Sequence, residues 1–248
     1  MGEVRENETV SGEKRKKRRK LIIGLLLIFV LTSVIFFSYV SDYYEADDEV
    51  RRYFDDTEMV KVESVNEGLF LDGPGTADAL IFYPGAKVEY IAYLPLLYRL
   101  SLYGIDCFLV EMPFNLAFFG RGKASGIMQR YTYEKWYIGG HSLGGAMAAS
   151  YATKHDLEGL ILLASYPVGT VEERTLELYG SEDRVLNRRN RASGDAFMPK
   201  GSVVKVIEGG NHAFFGNYGA QKGDGEATIT RDEQQSYAAE AIRQFVFK

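Results

Sequence analysis

The sequence predicts an α/β protein: a mostly parallel, doubly wound sheet flanked by helices and preceded by one N-terminal transmembrane helix. Three observations carry that prediction. Short apolar runs alternate with amphipathic stretches over residues 58–248, the pattern of strand–helix units. Several of those runs are apolar throughout, as strands covered by helices on both faces must be. Finally, the 20 uncharged residues Leu21 to Val40 follow an unbroken run of seven cations, Lys14 to Lys20.

The amino terminus comes first in the chain and in the argument. Residues 1–20 hold eight Lys/Arg and four Asp/Glu. Residues 21–40 are rich in Leu, Ile, Val and Phe, and twenty helical residues span roughly 30 Å, the thickness of a bilayer's hydrocarbon core. Cations directly abutting such a segment resist translocation. The expected topology is therefore a basic cytoplasmic tail (1–20), an anchor (21–40) crossing the cell membrane once, and an extracytoplasmic remainder. The apolar stretch exceeds the roughly 7–15 residues of a signal-peptide core, and no A-x-A-like cleavage site follows it. It reads as an uncleaved anchor in contact with the lipid bilayer. Residues 41–57, polar and acidic, are expected to form a linker to a domain over 58–248.

Within that domain the candidate strands are Val60–Val65, Leu69–Asp72, Ala79–Tyr83, Ile105–Glu111, Trp136–Gly139, Leu160–Ser165, Leu176–Tyr179 and Val203–Glu208. Candidate helices are Tyr93–Leu102, Leu143–Thr153 and Arg231–Val246. Pro95 suits the first turn of the first of these, and Gly104 stops it. The last opens with Thr230 and Glu233 in capping-box spacing, where hydroxyl and carboxylate satisfy free backbone N–H groups.

Composition removes several function classes. At 46% hydrophobic and 25% charged residues, the chain is globular rather than disordered. A single cysteine, Cys107, excludes an internal disulfide framework and any multi-cysteine metal site. Three histidines are too few for a histidine-rich metal cage, and the glycine-rich stretch Asn217–Gly225 lacks calcium-ligand spacing. No cofactor or metal is expected. Taking the tail's charges from the totals of 29 and 34 leaves 21 basic and 30 acidic residues beyond the anchor, a balance that disfavours nucleic acid as a partner.

The chemistry sits in Gly140-His141-Ser142-Leu143-Gly144. As a bare G-x-S-x-G pattern it is weak, and an ordinary glycine-rich βα turn is the alternative. Its context is specific: the apolar strand Trp136–Gly139 precedes it and the small-residue helix Gly145–Ala149 follows. A sharp strand-to-helix turn there exposes a serine hydroxyl beside a helix N-terminus. Ser142 is the candidate nucleophile. A serine needs a base, and His212 lies just after the last apolar strand, where doubly wound sheets carry their functional groups. His141 precedes the nucleophile and is expected to point away from it, and His155 is expected to be solvated or to cap a helix end. Asp183, with Glu182 as competitor, follows another strand between serine and histidine and would orient the imidazole. For an oxyanion hole, Leu143 N–H would pair with Ala86 N–H, Lys87 being the other possibility.

The order Ser142, Asp183, His212 belongs to one scaffold among serine hydrolases, and the chain resembles the α/β-hydrolases of the dienelactone-hydrolase-like (carboxymethylenebutenolidase-like) group. The residues carrying the resemblance are Phe82–Val88, Gly140–Ala148, Tyr179–Asp183 and Gly209–Ala213, and it extends over roughly 58–248. It implies the α/β-hydrolase fold with an eight-stranded, mostly parallel sheet and a Ser–His–Asp triad. Dienelactone hydrolases use a cysteine nucleophile, whereas this chain has Ser142; Cys107 lies inside an apolar run and reads as core. The expected function is ester hydrolysis by a membrane-anchored serine hydrolase acting on a small or medium ester or thioester. The competing readings are an acyl transferase or peptidase with the same triad, and a catalytically silent binding ectodomain. Two aromatic clusters, Phe114/Leu116/Phe118/Phe119 and Phe214/Phe215/Tyr218, are candidates either for an acyl pocket or for ordinary core.

Overall fold

Alternation along the strands divides the core into two layers, one on each face of a single sheet. The computed structural model describes residues 2–55 and 59–248. The strands are β1 (Lys61–Val65), β2 (Gly68–Asp72), β3 (Asp78–Tyr83), β4 (Ile105–Val110), β5 (Lys135–His141), β6 (Gly159–Leu163), β7 (Arg174–Gly180) and β8 (Val203–Ile207). They lie in the order β1-β2-β4-β3-β5-β6-β7-β8. β2 is antiparallel to both its neighbours, and every pairing from β4 to β8 is parallel. This is the eight-stranded, mostly parallel sheet of the α/β-hydrolase fold, as expected.

Side chains on the strands face opposite layers by turns, as the two-residue repeat of a strand requires. On β3, Leu80 and Phe82 enter one layer while Ala79, Ile81 and Tyr83 enter the other. On β6, Ile161 and Leu163 oppose Leu160 and Leu162 in the same way. Both faces are covered, which is why these segments read as continuous apolar runs.

Seven helices are labelled in chain order. α1 spans Gly2–Ser41, α2 Leu94–Leu102, α3 Ala117–Gly120, α4 Lys123–Arg130, α5 Leu143–Ala152, α6 Arg188–Gly194 and α7 Arg231–Val246. α2 and α7 contribute to the first layer, and α3, α4 and α5 to the second. The capping box of α7 is formed: Glu233 N–H donates to Thr230 Oγ1 (3.2 Å) and Thr230 N–H to Glu233 Oε2 (2.7 Å). The sequence pattern missed α3, α4 and α6. α6 is polar, and what ties it down is an ion pair, Arg191 Nε to the fully buried Glu177 Oε1 of β7 at 2.6 Å.

The chain divides into two units, up to Asp42 and from Tyr43 onward. In the first, the part of α1 from Lys16 to Ser41 is long and apolar enough to cross a membrane by length and composition. In the second, residues expected to serve as linker pack into the domain. Tyr44 N–H donates to Lys87 O (2.7 Å), Glu89 N–H to Tyr44 O (2.9 Å), and Val50 is fully buried. The expected linker–domain boundary at 57/58 lies outside the described residues.

Candidate active site

The turns that leave the carboxyl ends of β3, β5, β7 and β8 carry the candidate residues, so one edge of the sheet gathers them. Ser142 joins β5 directly to α5 with φ 51° and ψ −121°, a left-handed conformation that a residue with a Cβ adopts only when its surroundings impose it. Here they do. Ser142 N–H donates to Leu163 O (2.9 Å) and its carbonyl accepts from Ala146 N–H (3.1 Å). The flanking glycines let backbones touch: a Cβ on Gly140 would lie 2.6 Å from Tyr83 O, and one on Gly144 2.2 Å from the same atom. The N-terminus of α5 is thereby packed onto the turn after β3.

Asp183, beyond β7, is 2% exposed and His212, beyond β8, 1%. Asp183 Oδ2 hydrogen-bonds His212 Nδ1 at 2.8 Å. Its other oxygen accepts from the N–H groups of Val185 (2.9 Å) and Leu186 (2.8 Å), which fixes the carboxylate's direction. Glu182, the competitor, instead accepts from the Ser181 hydroxyl (3.2 Å). Of the two carboxylates, Asp183 is therefore the one in contact with the imidazole. His212 Nε2, the nitrogen left over, is buried and has no hydrogen-bond partner among the described residues. His212 and Ser142 line one pocket of about 280 Å³, together with Leu143, Tyr166, Val168 and Leu186.

Residues that sequence reasoning passed over hold His212 in place. Gln234 of α7, fully buried, accepts from Asn211 N–H (2.9 Å) and donates to Asn211 O (2.8 Å). Asp224 accepts from Ala213 N–H at 2.9 Å. Both backbone neighbours of the histidine are thus pinned. The signal was present: Gln234 occupies the buried stripe of α7 that continues through Ala238, Ala241 and Phe245, where a polar side chain needs a partner.

His141 does not line the pocket shared by Ser142 and His212; it is buried, with its ring centroid 4.5 Å from that of His212. Its Nδ1 hydrogen-bonds the Tyr93 hydroxyl at 2.8 Å, and that hydroxyl accepts from Gly85 N–H at 3.1 Å. Burial first, and then the charge His212 would carry, hold the His141 pKa well below the ordinary 6.5. It is a neutral ring at working pH.

On the turn after β3, Lys87 N–H donates to Asn115 O (2.8 Å) and Gly85 N–H is held by Tyr93. Ala86 N–H lies between these two engaged donors. Leu143 N–H stands at the first position of α5, where no intrahelical acceptor exists. His155 bonds Tyr151 O at 2.8 Å at the end of α5 and stacks on the Tyr151 ring, the helix-end role expected of it. Cys107 is buried in β4, and burial pushes its thiol pKa up. The aromatic clusters are not the pocket lining: Phe215 and Tyr218 belong to the core, while Phe114, Phe118 and Phe119 are exposed.

A family model described as the alpha/beta hydrolase family matches residues 79–236. Solved structures share the fold at low identity. A predicted CIB-like hydrolase from Thermoplasma acidophilum is 16% identical with TM-score 0.54, covering 75% of this chain and 98% of that one. Esterase 2 of Thermogutta terrifontis, phosphoramylated by tabun, is 13% identical with TM-score 0.54, covering 79% and 98%. A serine hydrolase without lid from Xanthomonas campestris is 10% identical with TM-score 0.50, covering 77% and 97%. No curated protein matches the sequence.

Proposed function

The chain belongs to the α/β hydrolase family, and on that footing we propose that it is a membrane-anchored serine hydrolase cleaving carboxylic esters through an acyl-enzyme on Ser142. One observation carries the reading. The Asp183–His212 hydrogen bond (2.8 Å) engages one imidazole nitrogen and leaves the other without a partner among the described residues, on a side chain that lines the same pocket as Ser142.

The chemistry follows from those atoms. His212 Nε2 takes the proton of Ser142 Oγ as that oxygen attacks the ester carbonyl, and Asp183 stabilises the imidazolium that results. Ala86 and Leu143 N–H groups receive the negative charge that develops on the carbonyl oxygen. His212 returns the proton to the departing alkoxide, leaving an acyl-serine. Water, deprotonated by the same histidine, attacks the acyl carbonyl, and His212 returns the proton to Ser142 Oγ as the acyl–oxygen bond breaks and the acid leaves. Within the family, the likeness to the dienelactone-hydrolase-like group rests on the four motifs quoted above, with serine in the place of cysteine.

α1 is read as the anchor. Its cations, Lys14 to Lys20, favour a cytoplasmic tail and an extracytoplasmic hydrolase domain. The deciding experiment is labelling of the full chain with a fluorophosphonate probe beside a panel of p-nitrophenyl esters. Labelling and turnover are expected for the unaltered chain and neither for Ser142→Ala. Undiminished turnover by Ser142→Ala would sink the mechanism.

A further inference from the structure

Three phenylalanines that neither the core nor the pocket absorbs stand beyond the carboxyl end of β4. Phe114, Phe118 and Phe119 are 45%, 67% and 48% exposed. Their rings form an edge-to-face row, Phe114 to Phe119 at 5.6 Å and Phe119 to Phe118 at 5.4 Å. The turn that presents them is strained: Phe114 and the next residue, Asn115, both have positive φ, 58° and 54°, a conformation residues with a Cβ avoid. Strain and a contiguous apolar surface together mark a site of interaction rather than accident.

Connectivity says what the surface meets. Asn115 O accepts from Lys87 N–H (2.8 Å), and Lys87 O accepts from Tyr44 N–H (2.7 Å). Tyr44 is three residues beyond Ser41, the last residue of α1. Three residues reach about 10 Å at most, and each lateral step between paired backbones adds about 5 Å. The backbone path from the last residue of α1 to the phenylalanine turn is thus no longer than about 20 Å. The same turn borders the site, because Lys87 is the neighbour of Ala86.

We propose that Phe114, Phe118 and Phe119 insert into the bilayer interface on the side where the domain lies, and that the ester taken by Ser142 is one presented at that lipid surface. This inference rests on the reading of α1 as a membrane span. Phenyl rings carried on a short tether suit the headgroup–acyl boundary, where aromatic side chains bury their area.

The test uses the full chain reconstituted in phosphatidylcholine vesicles containing brominated acyl chains, with the Trp136 signal of the unaltered chain as baseline. Phe118→Trp and Leu27→Trp are both expected to be quenched. Quenching at Leu27→Trp alone overturns the proposal and leaves the anchor standing; no quenching at either overturns both. In a second arm, Phe118→Ser with Phe119→Ser should lower turnover of a long-chain p-nitrophenyl ester dissolved in the vesicles by about tenfold or more. Hydrolysis of water-soluble p-nitrophenyl acetate should be unchanged. Equal loss on both esters, or loss on neither, overturns the proposal. If the unaltered chain hydrolyses no ester, the hydrolase reading fails, and quenching still decides whether the row meets lipid.

Discussion

Two imidazoles, those of His141 and His212, meet with ring centroids 4.5 Å apart and are held by opposite means. His212 faces the Asp183 carboxylate, whereas His141 faces the Tyr93 hydroxyl. Burial keeps His141 neutral, and this neutral ring links the turn after β3 to the loop after β8.

The first prediction concerns pH. The folded chain keeps His141 neutral, while the unfolded chain protonates it near 6.5. Below that pH the unfolded state binds more protons, so stability falls as pH drops. The contribution is fully favourable above 6.5 and is lost on the way down to the folded-state pKa. The slope from this one group is up to about 1.4 kcal/mol per pH unit. Urea midpoints measured from pH 7 to 5 should decline, and His141→Gln should flatten the decline. The same slope in that variant would show that other groups cause it.

A second prediction separates the two carboxylates. Asp183→Asn leaves His212 in the wrong tautomer and should lower kcat by about 10⁴-fold, the size of effect seen in other triads. Glu182→Gln should leave most of the rate, because its carboxylate bonds Ser181 and not the histidine. Steady-state kinetics on one p-nitrophenyl ester decide the matter, and the reverse ranking would move the acid to Glu182.

Gln234→Leu is the third. The substitution strips both partners from the Asn211 backbone and leaves a buried N–H and C=O unsatisfied, at a cost of about 1–3 kcal/mol each. The histidine loop should loosen, so kcat should fall more than KM rises while thermal unfolding shifts downward. A destabilised variant with full kcat would confine Gln234 to a structural role.

Topology supplies the fourth. Protease added to intact spheroplasts should digest the domain and spare the tail, given the cations at Lys14 to Lys20. Digestion only after permeabilisation would reverse the orientation.

Much of this was legible in the sequence because burial on both faces writes strands as apolar runs. Cys107–Val110 and Gly159–Leu163 are such runs, and the strands that hold them fall within two residues of the expected bounds. Ser142, Asp183 and His212 could be singled out as candidates because each follows a strand, and strand ends are visible. What stayed hidden depends on partners distant in sequence. Glu177 sits between Leu176 and Leu178 like a solvent-facing strand residue, yet it is fully buried because Arg191 reaches it. α3, only four residues long, is too short for a helical period to register. The contacts of His141 are hidden in the same way, since its neighbours Tyr93, just before α2, and His212, after β8, are distant in sequence.

The burial of Val50 and the pairing of Tyr44 with Val88 bear on how the catalytic part can be cut loose. A truncation placed after residue 57, where composition suggests a free linker, would pull a plug from the core and strip the strand-like partner from the turn beside Ala86. A fragment starting at Tyr43 keeps both. The safe window for a protease site or a start codon is thus only the few residues around Ser41 and Asp42, and material beginning further along would be expected to aggregate rather than report on the enzyme.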